Sequence, residues 1–292
     1  MLRSIAVLAL AHGCWGQSLD GVVDIHAHCG PDSVARSIDA LSLVRLAKER
    51  GFRALVLKNH YEPTASWAAL ARRQTPGVEV FGGIALNRTI GGINAAAVER
   101  MTRVEGGYGR VVWMPTFDSE NQVRTNRESR PFVSVSKNGQ LLPEVLEVLD
   151  LIAKHKLVLA TGHSTPAEVL MLVREARKRG AGSIVVTHAM LAPVSMNIDQ
   201  IKEAARSGAM IEFVGNAVIG QTKVFSFEQY AEAMRGAGWD SVILSSDLGQ
   251  QGNPLHPDGL EQIFRGLRAA GISEAEINRI VKTNPARLLG IR

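Results

Sequence analysis

The chain has 292 residues, of which 46% are hydrophobic and 21% are charged, and only two are cysteines. This composition predicts a globular chain that buries its own core, and it excludes a disordered chain or one built on disulfides. The net charge of +5 is dispersed along the sequence, which argues against a nucleic-acid-binding surface but would attract an anionic small substrate.

The first residues resemble a targeting signal. Arg3 precedes an apolar stretch over 5–11, and Cys14-Trp15-Gly16 offers small residues before a cleavage point. This layout predicts a signal peptide over residues 1–16 and a mature domain over 17–292, exported to the periplasm or the exterior after cleavage and cytoplasmic without it. The apolar stretch is too short to span a membrane, and no other stretch is long enough.

Eight short apolar runs rich in β-branched residues follow in chain order, and amphipathic helical stretches lie between several of them. The runs are 22–28, 54–60, 78–86, 110–116, 157–163, 183–189, 210–215 and 241–248, with helical stretches at 38–50, 144–155, 166–179 and 198–207. Continuous apolar runs are typical of parallel strands that are buried on both faces. About eight such units predict either a closed barrel or a large doubly wound sheet.

Two features favour the barrel. No GxGxxG motif follows the first run, so a dinucleotide-binding sheet has no support. Nearly every run becomes polar at its C-terminal end, and in a barrel those ends meet on the face that carries active sites. The sequence therefore predicts an α/β fold, a single (β/α)8 TIM-type barrel. The longest break, 117–142, contains Asn138-Gly139 and predicts a loop and hairpin insertion over the barrel mouth after the fourth strand.

Histidine and aspartate residues mark the ends of several runs. His26 and His28 are two residues apart on the first predicted strand, so their side chains project together and could bind one metal. Later runs have His163, His188 and Asp247 at or next to their C-terminal ends, and ionisable groups at the ends of buried strands are costly unless they are paired or bound to a metal. Nitrogen and oxygen ligands suit zinc, with manganese, iron and cobalt as alternatives.

In combination, these motifs resemble the pattern of the amidohydrolase superfamily, which has HxH on the first strand, His on the fifth and sixth, and Asp on the eighth. The closing sequence Asn284-Pro285-Ala286-Arg287-Leu288-Leu289-Gly290 and Ser245-Ser246-Asp247 resemble two further motifs of that superfamily. The resemblance spans about residue 22 to the C-terminus. It is greatest to the amidohydrolase-related group, which includes metal-dependent decarboxylases and bacterial members.

The resemblance implies a role for each of these residues. His26, His28 and His163 would bind the metal, and Asp247 would lie at the metal and take a proton from water. His188 would polarise the substrate or complete a second metal site. The fourth run ends in Val112-Trp113-Met114-Pro115-Thr116, without the Lys, Glu or Cys that usually bridges two metals, so one divalent metal is favoured.

Five further residues lie at or just after the C-terminal ends of the second and third runs and are expected to contact the substrate: Lys58, Asn59, His60, Asn87 and Arg88. Lys58 could instead be an unusual metal ligand or reach the rim. The expected function is hydrolysis of an amide, ester or lactone bond in a small molecule that carries negative charge. Two alternatives stay open, a metal-dependent decarboxylase and a non-catalytic metal-binding barrel. The sequence specifies neither the substrate nor the oligomeric state.

Overall fold

The computed structural model describes residues 19–291, so the predicted signal peptide lies outside the described residues. Eight parallel strands form one sheet whose spatial order follows the chain. They are β1 (Val23–His28), β2 (Ala54–Lys58), β3 (Glu79–Ala85), β4 (Gly109–Trp113), β5 (Val158–Ala160), β6 (Ser183–Val186), β7 (Met210–Val214) and β8 (Val242–Ser245). Each strand falls within or one residue outside a predicted apolar run.

The two edges of the sheet meet just after β8. The backbone N–H of His28 donates to the carbonyl of Leu248 at 2.9 Å, and the N–H of Asp247 donates to the carbonyl of His26 at the same distance. A parallel bridge also joins Ala27 to Leu248. The sheet is therefore a nearly closed parallel barrel of eight strands, which confirms the predicted α/β barrel class.

Eleven α-helices lie in the part of the chain that the structure describes: α1 (Ala40–Glu49), α2 (Ala65–Gln74), α3 (Ala95–Thr102), α4 (Glu120–Thr125), α5 (Pro143–Lys154), α6 (Pro166–Lys178), α7 (Ile198–Arg206), α8 (Phe227–Ala237), α9 (His256–Ala269), α10 (Glu274–Asn278) and α11 (Asn284–Leu289). Several begin at capping boxes, such as Thr165 with Glu168 at α6 and Asn197 with Gln200 at α7. Between residues 19 and 291, the helices are all too short or too polar to cross a bilayer.

The apolar residues divide into two layers. One layer packs the outer faces of the strands against the helices, and the other fills the barrel interior. Helix α11 adds Ala286, Leu288 and Leu289 to the interior cluster, while the Asn284 amide donates to the carbonyls of Trp239 and Val242, each at 2.7 Å. Because Val242 begins β8, this C-terminal helix closes the end of the barrel opposite to the strand ends that carry polar residues.

The segment between β4 and β5 contains α4 and a small antiparallel hairpin. The hairpin strands are Ser136–Lys137 and Gln140–Leu141, joined by Asn138-Gly139. Both turn residues have positive φ, 52° and 74°, as a two-residue turn of this type requires. Nearer β4, the side chains of Ser119 and Asn121 donate to the carbonyl of His163 at 3.1 Å each. This segment is therefore anchored to a predicted site residue.

Candidate metal centre

Three buried side chains converge at the C-terminal end of the barrel. Oδ1 of Asp247 lies 3.0 Å from Nε2 of His26 and 3.1 Å from Nε2 of His28. Each of the three offers a ligand atom within 4.8 Å of the other two, and no other His, Cys, Asp or Glu group between residues 19 and 291 meets that test. Two imidazole nitrogens and one carboxylate oxygen are a donor set that suits zinc and related divalent metals.

Local backbone geometry brings these side chains together. His26 and His28 lie on β1 and point into the barrel, as their spacing predicted. Asp247 lies two residues after β8 with φ at 48°, in the left-handed region that Asp adopts more readily than most residues. At Gly249, a Cβ atom would lie 2.0 Å from the carbonyl oxygen of His28, so only glycine allows this close approach between the two loops.

The protonation states of the three residues differ. Burial raises the pKa of the Asp247 carboxyl, but the adjacent His26 and His28 outweigh it and hold this pKa well below its ordinary value. Burial lowers the pKa of His28 to about 3. Burial also lowers that of His26, but Asp247 and Glu212 more than offset it and raise the value to about 9. At neutral pH, His28 and Asp247 are therefore in their metal-binding forms, and a metal at His26 would displace a proton.

Glu212 is the site residue that the sequence analysis missed. It lies in β7, is 2% exposed, and its Oε1 is 3.1 Å from Nδ1 of His26. The same oxygen accepts from the Ser245 hydroxyl at 2.5 Å, and Oε2 accepts from the backbone N–H of His188 at 3.0 Å. A carboxylate on the second nitrogen of a metal-binding histidine fixes the orientation of its ring. The available signal was a glutamate in the middle of an apolar run.

Lys58 points into the barrel, not to the rim. Its Nζ lies 2.8 Å from Nε2 of His26 and 5.2 Å from the centre of the Trp113 ring, and the residue is fully buried. Burial lowers the pKa of Lys58 to about 8, although Asp247 and Glu212 act in the opposite direction. Lys58 can therefore reach a group bound at His26, and its role as a substrate contact or a metal ligand stays a prediction.

His163 and His188 lie beside the group of His26, His28 and Asp247 and are not members of it. Their ring centres are 4.8 Å apart, and the ring of His188 is 6.4 Å from that of His26. Nδ1 of His163 lies 2.7 Å from Oε1 of Gln122, which leaves Nε2 for a ligand. The role of His163 as a metal ligand stays a prediction, and so does the catalytic role of His188.

The residues predicted to bind substrate occupy different environments. The ring of His60 stacks on that of His28 with 4.8 Å between their centres, which places it beside the metal centre. Asn59 is buried, and its Oδ1 accepts from the backbone N–H groups of Tyr61 and Glu62.

Asn87 and Arg88 lie farther along, after β3. Asn87 is fully buried. Its Nδ2 donates to the carbonyl of His60 and the hydroxyl of Thr116. Its Oδ1 accepts from the backbone N–H groups of Thr116 and Asp118. Its geometry is that of a residue that positions the loops after β2 and β4. Arg88 is exposed, so a ligand could reach its side chain but not that of Asn87.

Several solved structures share this fold. A triple mutant of an organophosphorus hydrolase from Deinococcus radiodurans has a TM-score of 0.63 at 16% identity and covers 94% of each chain. An amidohydrolase from Pseudomonas aeruginosa has a TM-score of 0.64 at 12% identity, covering 92% of this chain and 95% of its own. 2,6-Dihydroxybenzoate decarboxylase from Rhizobium has a TM-score of 0.57 at 15% identity, covering 93% of this chain and 99% of its own. At such low identities the likeness shows the fold alone.

Sequence comparison identifies the family but not an activity. No curated protein matches the chain. Residues 21–212 match a family of unknown function, DUF6282, over a span that includes His26, His28, His163 and Glu212 and ends before Asp247. Because this span is well over half of the chain, the protein belongs to the DUF6282 family.

Proposed function

We propose that this protein is a metal-dependent hydrolase of the amidohydrolase superfamily. The observation that carries the proposal is the convergence of Nε2 of His26, Nε2 of His28 and Oδ1 of Asp247 at the C-terminal end of the barrel. These residues would hold one divalent metal, with His163, in the loop after β5, as a fourth ligand. Zinc is the preferred ion because the donors are imidazole nitrogen and carboxylate oxygen atoms.

The donor set fits such a metal. Once bound, a divalent metal would lower the pKa of water and polarise a carbonyl group, which allows hydrolysis at neutral pH. Asp247, ionised and beside both imidazoles, would accept the proton of the attacking water and pass it to the leaving group. Burial lowers the pKa of His188 to about 4, so its neutral ring would donate a hydrogen bond to the substrate oxygen that gains negative charge.

We further propose that the segment between β4 and β5 is an insertion that forms one wall of the substrate site. Gln122 is hydrogen-bonded to the His163 ring, and Asn121 donates to the carbonyls of His163 and Pro193 at 3.1 and 2.8 Å. These contacts connect α4 to the strand ends at the centre. Movement of this segment would therefore move His163.

The bond that is cleaved is proposed to be an amide, ester or lactone. One structural neighbour is described as having organophosphate hydrolysis activity engineered from a weak promiscuous lactonase template, and another is named an amidohydrolase. A decarboxylase is the second candidate because 2,6-dihydroxybenzoate decarboxylase has the same barrel and because buried Lys58 places a cation beside His26. A cation at that position could hold the carboxylate of a substrate.

Metal content and turnover test these proposals separately. Elemental analysis of the purified protein should find about one equivalent of a transition metal, and its absence would contradict the metal centre. The metal-loaded protein and its Asp247→Asn variant should then be assayed on amides, esters and lactones, and in parallel on aromatic and aliphatic carboxylic acids. Hydrolysis by the wild type alone supports the hydrolase, release of carbon dioxide supports the lyase, and metal without turnover on either panel supports the non-catalytic barrel.

A further inference from the structure

The loop between β1 and α1 brings an arginine to the barrel mouth. Nε of Arg36 donates to Oδ2 of Asp32 at 2.7 Å, and the backbone of Arg36 forms an antiparallel bridge with Gln250. The amide of Gln250 in turn donates to the carbonyl of Asp247 at 2.8 Å. Arg36 is thus attached to the same loop that presents Asp247, and its position is coupled to the metal centre.

The Arg36 guanidinium is largely buried on this loop and is only partly used by the protein. Its side chain is 7% exposed, yet neither terminal nitrogen has a hydrogen-bond partner within residues 19–291. A largely buried arginine with two unpaired terminal nitrogens, on a loop joined to the one that presents Asp247, is ready to bind an anion.

An aromatic ring lies at the same mouth. Phe117, in the loop after β4, stacks on His60 with 4.0 Å between ring centres, and its ring centre is 5.7 Å from that of His163. Despite these contacts, Phe117 is 39% exposed, so its ring presents an apolar surface to the solvent beside the predicted metal ligands. Such a surface favours a flat apolar group over a hydrated chain.

We propose that Arg36 binds a carboxylate group of the substrate while Phe117 packs against a flat apolar part of the same molecule. The substrate class is then a small aromatic carboxylate. The free edge formed by the two terminal nitrogens of Arg36 matches one carboxylate in a two-point hydrogen bond, and Asp32 holds the opposite side of the guanidinium in place. This proposal rests on the proposed function for the location of the reacting bond.

The two proposed contacts, at Arg36 and Phe117, can be tested with phenylacetate. Its binding is measured by calorimetry on both the metal-free and the zinc-loaded protein. Arg36→Gln removes the charge but keeps a donor for Asp32, and Arg36→Met removes both. Each should weaken phenylacetate binding about 10- to 100-fold, the effect of losing a charge-assisted hydrogen bond. Arg45→Met is the matched control because Arg45 is exposed on α1, and it should bind as the wild type does.

Two further ligands separate the two contacts. Phenylacetamide, which lacks the charge, should bind the wild type as weakly as phenylacetate binds Arg36→Gln. Phe117→Ala should weaken phenylacetate but leave acetate unchanged. Equal affinities of Arg36→Gln and Arg45→Met for phenylacetate would overturn the proposal. So would wild-type protein that binds phenylacetamide as tightly as phenylacetate, or that binds no phenylacetate below about 10 mM. Phenylacetate binding to the metal-free protein does not depend on the metal. If the proposed metal centre is wrong, the metal content will show it, and the comparison of phenylacetate affinities between variants will not be affected.

Discussion

Nδ1 of His26 lies 3.1 Å from Oε1 of Glu212, although the two residues are 186 positions apart in the chain. The hydrogen bond directs Nε2 of His26 toward Asp247 and His28, where a metal would bind. The same carboxylate also accepts from the backbone of His188. Glu212 therefore positions His26 and His188, two of the five residues predicted to bind the metal or to take part in catalysis.

Replacement of Glu212 should weaken metal binding without removing a ligand. Glu212→Gln is expected to lower the affinity for zinc about 10- to 100-fold, because His26 loses the carboxylate that orients its ring. Competition with a chelator of known affinity measures the effect. Glu228→Gln, an exposed change on α8, is the control and should bind zinc normally. Equal affinities for the two variants would show that Glu212 does not support His26.

Removal of the Lys58 charge separates its two possible roles. If Lys58 is a substrate contact, Lys58→Met should bind zinc as tightly as the wild type or up to about tenfold more tightly, because a cation 2.8 Å from Nε2 of His26 repels the metal. Exposed Lys48→Met on α1 provides the control. Loss of zinc from Lys58→Met alone would instead identify Lys58 as a metal ligand.

Alanine substitutions at the two adjacent histidines should have different effects. His163→Ala is expected to lose metal, because it removes the proposed fourth ligand. His188→Ala should keep the metal and lose about 10²- to 10⁴-fold in turnover, the usual effect of removing a group that handles charge in the transition state. Elemental analysis and initial rates measure the two effects. Full metal content in His163→Ala, or normal turnover in His188→Ala, would refute the corresponding role.

A glycine beside His163 should tolerate no side chain. Gly162 has φ at 62°, and a Cβ atom there would lie 2.2 Å from the carbonyl oxygen of Met114. Gly162→Ala should therefore lower the free energy of unfolding by more than about 2 kcal/mol and displace His163. Gly182→Ala has no atom within 4 Å of its new Cβ and should change stability by less than about 0.5 kcal/mol. Urea unfolding of the metal-free variants distinguishes them, and similar midpoints would contradict the expected clash.

Acid should destabilise the metal-free fold through histidines that are buried in their neutral form. Burial lowers the pKa of His256, at the start of α9, from 6.5 to about 4. Between these values the unfolded chain binds a proton that the fold excludes, so the stability that His256 contributes is present above pH 6.5 and is lost as the pH falls toward 4.

The size of this effect can be measured with one variant. His256→Gln removes the group, and the pH dependence of its unfolding free energy should be shallower than that of the wild type by up to about 1.4 kcal/mol per pH unit within this window. Urea titrations from pH 4.5 to 7.5 in excess chelator provide the comparison. Parallel curves for the two proteins would mean that the pKa of His256 is the same in the folded and unfolded chains.

The features that could be predicted from the sequence depend on neighbours in the chain. Apolar runs identify buried strands, and a spacing of two places His26 and His28 on the same side of β1. Capping residues such as Thr165 and Asn197 likewise mark helix starts by contacts within four residues. Asp247 can be predicted for the same reason, since it lies at the C-terminal end of an apolar run.

The missed features depend on contacts between distant segments. Glu212 is an isolated charge within an apolar run of the sequence, and only the closed barrel brings it against His26. The sequence left open whether Lys58 reaches the rim or the metal, and its 2.8 Å approach to His26 follows from the pairing of β1 with β2. Arg36 lies in a loop with no periodic pattern, and its position depends on the loop after β8.

The sequence by itself determined the number of strands, the α/β class and the residue types at the strand ends, because these follow from local periodicity and from the burial of apolar side chains. Only the tertiary structure decided which of those side chains share a point in space. Barrel closure brings the end of β8 beside β1 and so joins Asp247 to His26 and His28. Distances of this kind depend on register and loop conformation, which no local pattern in the chain encodes.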